Sequence, residues 1–280
     1  NSLSSSTKSG KIFNNYAENF FKEHNFTYYT NSFSISQNSG SSISSLLNFG
    51  DYTEKHLRDK VLKKSANYFY EYNLVEKKLF KNFKSISIFQ NIHINYCKNK
   101  NINKCYTYNP FELDKLKVEV DFFSKYISLW HLNGSIVSKI LWKLTKMFGL
   151  ITSIVEPDGQ KVFIKEIFNM LNSDVSSNKF DLIFYHVLFP HRPYGLNKSC
   201  EYNVKLSNYN NFYDDKAHFD QHNIERTCTI KFLNNFISKI NNIEKVKILI
   251  LSDHGARIDK SKLSGNSNIL AYKDFESDNS

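Results

Sequence analysis

The sequence predicts an α/β fold in which a mostly parallel central sheet is flanked by helices, and three observations support this fold class. Two mostly apolar runs, Leu182–Leu188 and Ile248–Leu251, have the length of buried strands, and the second is expected to be buried on both faces. Each run follows a segment with helical apolar spacing, Gln160–Leu171 or Gln221–Ile243. Polar residues follow each run, at the strand end where open α/β sheets bind ligands.

The N-terminal part of the chain is expected to form a helix, a short strand and a second helix. Ile12–His24 carries apolar residues at helical spacing, so one of its faces should pack on the sheet. Phe26–Phe33 is aromatic and β-branched, which is typical of a short strand. Ser34–Gly50 begins as a Ser-rich loop and then gains an apolar face, so a helix should begin near Ser41 or Ser42.

The middle of the chain is less regular. We expect a polar helix over Glu54–Phe83, a strand over Ser85–Tyr96 and a loop over Lys98–Pro110. Glu112–Leu150 is only loosely periodic. Within it, Leu141–Leu150 is predicted to be an amphipathic helix, whose apolar side is more typical of core packing than of membrane contact.

The last elements complete a single predicted domain over residues 1–280. Asn197–Phe219 is a polar insertion, and Asn268–Tyr272 is a candidate final strand. A parallel-sheet domain usually opens with a buried strand, and none precedes Lys11. We therefore expect that the chain is truncated at its N-terminus.

Charge and composition favour an anionic partner. The net charge is +10 and the pI is about 9.2, although biased Lys and Asn usage is an equally good explanation of these values. The lysines are scattered, and no basic run with interleaved aromatic residues and no zinc-finger spacing occurs. The sequence therefore gives no support to nucleic-acid binding.

The four cysteines indicate the redox compartment rather than a zinc site. None of them forms a CxxC motif. Cys97 and Cys105 flank a short polar loop and would form a disulfide in an oxidising compartment. No apolar run is long enough to span a bilayer, so membrane attachment is expected only through segments outside this chain.

The polar triplet after Ile248–Leu251 is the strongest candidate site. Asp253 and His254 offer a carboxylate oxygen and an imidazole nitrogen, which suit a divalent metal, and Gly255 allows a sharp turn. The alternative is a strand-ending turn in which Asp253 caps the next segment.

Two further segments add candidate residues. His191 lies between two prolines after a buried strand, and Arg192 offers a positive fork suited to an oxyanion. If both strands are parallel, His191 should approach Asp253; the alternative is that it only hydrogen-bonds a neighbouring loop. Ser39 precedes a predicted helix, where a hydroxyl suits phosphate or sulfate binding, although such serines are also common N-caps.

Three segments in this order resemble the landmarks of the alkaline phosphatase superfamily, in particular its sulfatase-like branch: NSFSISQNSGSSISSLLN, LFPHRPY and LSDHG. That branch includes lipoteichoic-acid synthases and phosphoethanolamine transferases. The resemblance implies that Ser39 is the nucleophile and, with Asp253 and His254, a ligand of a divalent metal. Zinc or manganese is the first choice for that metal, and calcium is the third candidate. It also implies that His191 contacts the transferring group or protonates the leaving oxygen. The residues that would line the substrate site are Ser42, Arg192 and Tyr194.

The chain departs from that family pattern in two ways. The family's first acidic metal ligand has no counterpart, because no acidic residue precedes Glu18. The formylglycine motif of sulfatases is also absent, since Ser39–Ile43 contains neither its Pro nor its Arg. We therefore expect a metal-dependent hydrolase or transferase that attacks phosphate esters through a serine and works outside the cytoplasm or at a membrane. The alternatives are a sulfatase and a catalytically inactive envelope or binding protein that retains the fold.

Overall fold

A computed structural model describes residues 8–30, 32–50, 72–74, 77–91, 94–98, 100–110, 112–132, 134–155, 159–208, 215–255 and 268–275. The chain forms two compact units. The first comprises Asn1–Tyr106, Asp174–Phe184 and Ile237–Ser280, and the second comprises Thr107–Ser173 and Tyr185–Phe236. Most of the helix predicted over Glu54–Phe83 lies outside the described residues. So do His93 of the predicted strand Ser85–Tyr96, the turn residues Pro157 and Asp158 before Gln160, and the basic residues Arg257 and Lys260 that follow His254 in the chain.

Helices and strands alternate along most of the described chain, which confirms the α/β class. In chain order they are α1 Lys8–Glu23, β1 Thr27–Tyr28, α2 Ser39–Leu47, β2 Tyr72–Asn73, β3 Ile86–Gln90, β4 Ile94–Asn95, β5 Ile102–Thr107, α3 Phe122–Leu132, α4 Ile136–Met147, α5 Gly159–Val162, α6 Ile164–Ser176, β6 Leu182–Tyr185, α7 Val204–Asn208, α8 Asp215–Ile237, β7 Ile248–Leu251 and β8 Leu270–Lys273. Short 3₁₀ helices occur at Leu79–Asn82, Leu113–Leu116 and Ile243–Lys245.

The strands form three small sheets in the orders β1-β8-β7, β2-β4 and β5-β3-β6. In the last of these, Ile86 N–H donates to the Asn101 carbonyl and Leu182 N–H donates to the Ser85 carbonyl. These bonds join the starts of the three strands, so the strands run in the same direction. A parallel sheet is thus confirmed, whereas the alkaline phosphatase-like arrangement of the whole chain stays a prediction.

Strand β7 differs from its predicted setting. It pairs with β8 in antiparallel register, Leu249 opposite Tyr272, and β6 instead pairs with β3. The prediction that β7 is buried on both faces is wrong, since Leu249 is 52% exposed. An apolar run of four residues does not fix the direction of its partner strand, and this explains the error.

The core of the first unit surrounds β3, whose five residues are all buried. Phe184 packs edge-on against Phe80 and Tyr96, with ring centroids 5.6 and 5.1 Å apart. The polar residues of β3 have partners: the Ser87 hydroxyl donates to Asp174 at 2.6 Å, and Gln90 Oε1 accepts the Tyr96 N–H at 2.7 Å. Satisfied polar groups therefore let a strand with an alternating sequence be buried on both faces.

Several predicted boundaries are wrong. The described end of Glu54–Phe83 contains β2 and a 3₁₀ turn instead of a helix, and the predicted loop Lys98–Pro110 contains β5. This strand was not predicted, because polar Lys104 made the segment look like a loop. In the structure the Lys104 ammonium pairs with the buried carboxylate of Asp174. Gln160–Leu171 is two helices, α5 and α6, interrupted at Phe163.

The second unit packs helices α6 and α8 around a buried cluster that includes Ile164, Leu196 and Phe232. A disulfide between Cys200 and Cys228, which the sequence analysis did not predict, joins α8 to the polar insertion. The expected Cys97–Cys105 disulfide forms in the first unit.

Gly159, at the start of α5, allows a close backbone approach in the second unit. A Cβ atom at this position would lie 2.6 Å from both the Ile154 carbonyl oxygen and the Tyr108 hydroxyl. Those two groups are themselves joined, because the Tyr108 hydroxyl donates to the Ile154 carbonyl at 2.8 Å. Only glycine therefore fits here without displacing its neighbours.

Candidate functional site

The end of β7 brings a carboxylate and an imidazole together in the first unit. Asp253 Oδ1 accepts the backbone N–H of His254 at 3.0 Å. The other carboxylate oxygen, Oδ2, lies 3.6 Å from His254 Nε2. The side chains of His254 and Asp253 are 18% and 22% exposed, so solvent reaches both.

This pair fits two ligands of one divalent ion. His254 Nδ1 lies 2.8 Å from the Gly255 carbonyl oxygen and donates to it, so Nε2 carries the lone pair of the neutral ring. Ligand atoms bound at about 2.0–2.2 Å around a tetrahedral ion are roughly 3.3–3.6 Å apart. The observed 3.6 Å lies at the upper end of that range. Within the described ranges, no cluster of three or more His, Cys, Asp or Glu side chains could hold a metal.

Ser39 is the first residue of α2, so the helix begins earlier than predicted. The N-cap is Asn38, whose Oδ1 accepts the Gly40 N–H at 2.8 Å. The alternative that a serine at this helix start is the N-cap is therefore wrong. Ser39 lies in the first turn, at the positive end of the helix dipole, and this turn contains no acidic residue.

Ser42 has a structural role in the loop before α2. Its side chain is buried, and its hydroxyl donates to the Ser36 carbonyl at 2.8 Å. The Ser34 hydroxyl donates to the same carbonyl at 2.7 Å. These two bonds hold the loop that leads to Ser39, and a contact of Ser42 with substrate stays a prediction.

Asn268 connects the Ser39 loop to the end of β7. Its N–H donates to the Ser32 carbonyl at 3.1 Å, and its carbonyl accepts the Ser32 hydroxyl at 2.8 Å. Its side-chain amide donates to the Ser252 carbonyl at 3.3 Å. The segment leading to Ser39 and the residue before Asp253 thus share one hydrogen-bonding partner. Convergence of the Ser39 hydroxyl on the metal pair stays a prediction.

Tyr96 is a neighbour of this pair that the sequence analysis missed. It is fully buried, and burial raises the pKa of its phenol well above the ordinary value. The negative charge of Asp253 acts on this pKa in the same direction. The Tyr96 phenol therefore stays neutral.

His191, Arg192 and Tyr194 lie together in the second unit, on the segment that follows β6. The peptide bonds before Pro190 and Pro193 are both cis. His191 Nδ1 donates to the Arg192 carbonyl, and the Arg192 side chain donates to the Tyr194 hydroxyl. Tyr194 is buried, and burial raises the pKa of its phenol.

A buried ion pair holds this segment from both sides. Lys161 of α5 and Glu225 of α8 are fully buried, and Lys161 Nζ lies 3.3 Å from Glu225 Oε2. The Lys161 ammonium donates to the carbonyls of His191 and Pro193. Glu225 Oε1 accepts the two N–H groups at 195 and 196, at 2.6 and 3.2 Å. The pair thus satisfies four backbone groups of one short segment.

Local sequence patterns did not predict the Lys161–Glu225 pair, although the sequence contains a signal for it. Glu225 follows Ile224 and lies three residues before Cys228, on the apolar side of the predicted helix. Lys161 likewise precedes the inward-facing Val162. A charge on an apolar helix face indicates a buried partner, but the sequence does not say which one.

The comparisons with known proteins leave the family open. No protein-family model matches the chain, and no curated protein matches it. The chain is similar to a solved structure described as "Crystal structure of Ps i-CgsB", with 13% identity and a TM-score of 0.49. The match covers 92% of this chain and 59% of that chain, so this chain spans less than two thirds of that protein's length.

Replacing Lys161 by methionine should destabilise the second unit by about 3–5 kcal/mol, because Glu225 would keep a buried charge without its partner. Adding Glu225→Gln should recover part of this loss, since the amide oxygen can still accept N–H bonds. Urea unfolding followed by tryptophan fluorescence measures this unit, which contains both tryptophans, Trp130 and Trp142. Exposed Lys165→Met is the control and should change stability by less than about 0.5 kcal/mol. Equal effects of Lys161→Met and Lys165→Met would contradict the assignment.

Acidification should destabilise the second unit through His222. Burial, helped by the positive charges of Arg226, Arg192 and Lys161, holds the pKa of this imidazole well below its ordinary value. Below about pH 6.5, His222 is therefore protonated in the unfolded chain but not in the folded chain. The free energy of unfolding falls by about 1.4 kcal/mol for each pH unit below about 6.5.

His222→Phe tests this dependence. The variant should lose that slope between about pH 6.5 and about pH 5 in unfolding experiments. Burial raises the pKa of Glu225, so its effect on the pH dependence of stability is opposite to that of His222. Both the parent and the variant contain Glu225, so its effect cancels when the two proteins are compared. An unchanged slope in the variant would rule out His222 as its source.

Proposed function

We propose that this chain is a metal-dependent phosphate-ester hydrolase or transferase with Ser39 as its nucleophile. The observation that carries the proposal is the Asp253 Oδ2–His254 Nε2 pair, 3.6 Å apart at the end of β7. Asp253, His254 and Ser39 would hold a divalent metal, with zinc or manganese as the first choices. Bound there, the metal would lower the pKa of the serine hydroxyl and neutralise developing charge.

The position of Ser39 suits attack on phosphorus. In the proposed reaction its oxygen forms a bond to phosphorus while the bond to the leaving oxygen breaks, and the leaving oxygen takes up a proton. Water or an acceptor hydroxyl then displaces the serine, which distinguishes hydrolysis from transfer. The positive end of α2 and its first turn without acidic residues favour the phosphoryl oxygens.

His191 is the proposed proton donor to the leaving oxygen. Because its Nδ1 donates to the Arg192 carbonyl, Nε2 is the nitrogen that would give up a proton from the charged ring. Lys161 and Glu225 are positioning residues for this segment, since they bind its backbone on both sides of Arg192. Arg192 and Tyr194 would bind phosphoryl oxygens.

A phosphate ester is preferred to a sulfate ester as substrate. The formylglycine context is missing from Ser39–Ile43, so the unmodified hydroxyl is the proposed attacking group. The net charge of +10 fits an anionic substrate of either kind. We propose no nucleic-acid partner.

A catalytically inactive binding protein is the second candidate. One observation favours it: throughout the part of the chain that the structure describes, no third His, Cys, Asp or Glu joins Asp253 and His254. A two-residue site would bind a metal weakly and could still recognise an anion through it. Turnover separates this candidate from the enzyme.

An extracytoplasmic location is proposed from the cysteines. All four are paired, as Cys97–Cys105 and Cys200–Cys228, and such bonds persist in oxidising compartments. Among the described helices, none is long and apolar enough to cross a bilayer.

Metal and Ser39 should both be required for turnover of aryl phosphate mono- or diesters by the full-length protein. A chelator should abolish activity, and added zinc or manganese should restore it, because the hydroxyl is a weak nucleophile without a metal. Ser39→Ala and Asp253→Asn should each lower turnover by at least about 100-fold. Ser41→Ala, which removes a hydroxyl from the same helix turn, should cost much less.

Three outcomes would contradict this assignment. Turnover of sulfate esters alone, or formylglycine at position 39 by mass spectrometry, would identify a sulfatase. Metal binding without turnover of any ester would favour the inactive binding protein. Equal losses in Ser39→Ala and Ser41→Ala would point to the helix end rather than to one nucleophile.

His191→Ala should lower turnover by about 10²–10⁴-fold if His191 is the proton donor. The effect should be smaller for substrates with acidic leaving groups, because these need less protonation. Thermal unfolding of the variant should match the parent, since the side chain is only partly buried. Unchanged turnover would remove His191 from the reaction, and lost stability would assign it a purely structural role.

A further inference from the structure

Helix α4 of the second unit buries mostly polar side chains and exposes apolar ones. The residues it buries are Ser138, Trp142, Thr145 and Lys146. The residues it exposes include six large apolar ones, with exposures from 39% to 77%: Ile136, Val137, Ile140, Leu141, Leu144 and Met147. We call these six residues the α4 apolar face. A helix of a water-soluble domain normally shows the opposite arrangement.

The α4 apolar face is continuous around the helix. At about 100° per residue, its six side chains occupy an arc of roughly 140°. Exposed Lys139 and Lys143 lie at one edge of that arc, one turn apart. Beyond the end of the helix, exposed Phe148 and Leu150 extend the apolar surface.

The neighbouring helix adds aromatic residues. Helix α3 packs against α4 and exposes Phe122 and Tyr126, whose rings stack with centroids 6.0 Å apart. Exposed aromatic rings of this kind are typical of the boundary between a bilayer and water. They are not typical of the surface of a monomeric soluble domain.

Helix α4 carries charge of one sign. It contains Lys139, Lys143 and Lys146 and no Asp or Glu, and the nearest acidic residue in the chain before it is Asp121, at the start of α3. Lys146 is buried against the Trp142 ring, with its Nζ 4.8 Å from the ring centroid. Lys139 and Lys143 therefore place only positive charge beside the apolar face, which complements an anionic surface.

We propose that α4 docks in the plane of an anionic phospholipid membrane. The α4 apolar face would enter the boundary between headgroups and acyl chains, while Lys139 and Lys143 meet the phosphates. The twelve residues of α4 extend about 18 Å, which is too short to span a bilayer core of about 30 Å, so the helix lies flat. This docking is independent of the proposed catalysis. The expectation that the apolar side of Leu141–Leu150 packs on a core is wrong, because Leu141, Leu144 and Met147 are exposed.

Sedimentation with vesicles tests this proposal on the purified chain. Vesicles of phosphatidylcholine with phosphatidylserine should bind the protein more tightly than phosphatidylcholine alone, and added salt should weaken the difference. Ile140→Glu with Leu144→Glu should raise the dissociation constant at least about 100-fold. Ile12→Glu, at a 62% exposed apolar residue of α1, is the matched control and should bind as the parent does.

A second pair of variants measures how much the charges of Lys139 and Lys143 contribute to vesicle binding. Lys139→Gln with Lys143→Gln should weaken binding to the anionic vesicles about 30-fold and leave binding to neutral vesicles unchanged. Lys231→Gln with Lys239→Gln removes the same charge from exposed sites elsewhere and should have little effect. Because all these side chains are exposed, the variants should keep the parent's thermal unfolding temperature.

Three outcomes would overturn the proposal. In the first, the parent protein binds neither kind of vesicle. In the second, the Ile140→Glu/Leu144→Glu variant binds vesicles as tightly as the parent does. The third is a concentration-dependent dimer that this variant dissociates in the absence of lipid. That result would assign the α4 apolar face to contact with a second copy of the chain.

Discussion

The buried ion pair Lys161–Glu225 is the constraint on which the second unit depends. Two charges without solvent exposure carry a large desolvation cost, which only good partners offset. Here the partners are each other and four backbone groups of the segment from His191 to Leu196. Any other conformation of that segment would leave both the charges and the backbone groups without these bonds. The segment is therefore fixed although it belongs to no sheet or helix.

The first unit fixes its candidate residues with neutral hydrogen bonds instead. Asn268 binds Ser32 and Ser252, and the Ser36 carbonyl accepts hydroxyls from two sides. Such bonds cost little to bury and hold loops at the ends of short strands. Asp253 follows Ser252 directly, and burial together with the charge of Asp253 raises the pKa of the Tyr96 phenol.

Sequence reasoning identified what depends on neighbouring residues in the chain. Apolar periodicity located α1 and α8, and the polar residues after β7 do lie at a strand end. It failed where distant partners decide the structure. Lys104 lies in a strand and pairs with the buried carboxylate of Asp174, and the apolar side of α4 faces solvent instead of the core. Local spacing predicts neither the ion-pair partner of Lys104 nor the exposure of the apolar side of α4.

The absence of a side chain at Gly159 affects the position of Lys161 and of the segment that Lys161 binds. It begins the short helix that carries Lys161, and a methyl group there would collide with the Ile154 carbonyl and the Tyr108 hydroxyl. Relief of that collision requires α5 to shift, and the ammonium group moves with it. In evolutionary terms, the tolerance of position 159 to substitution is set by the accuracy demanded of the loop that Lys161 binds, and a change at Tyr108 alone would not make room for an alanine, because the Ile154 carbonyl belongs to the backbone.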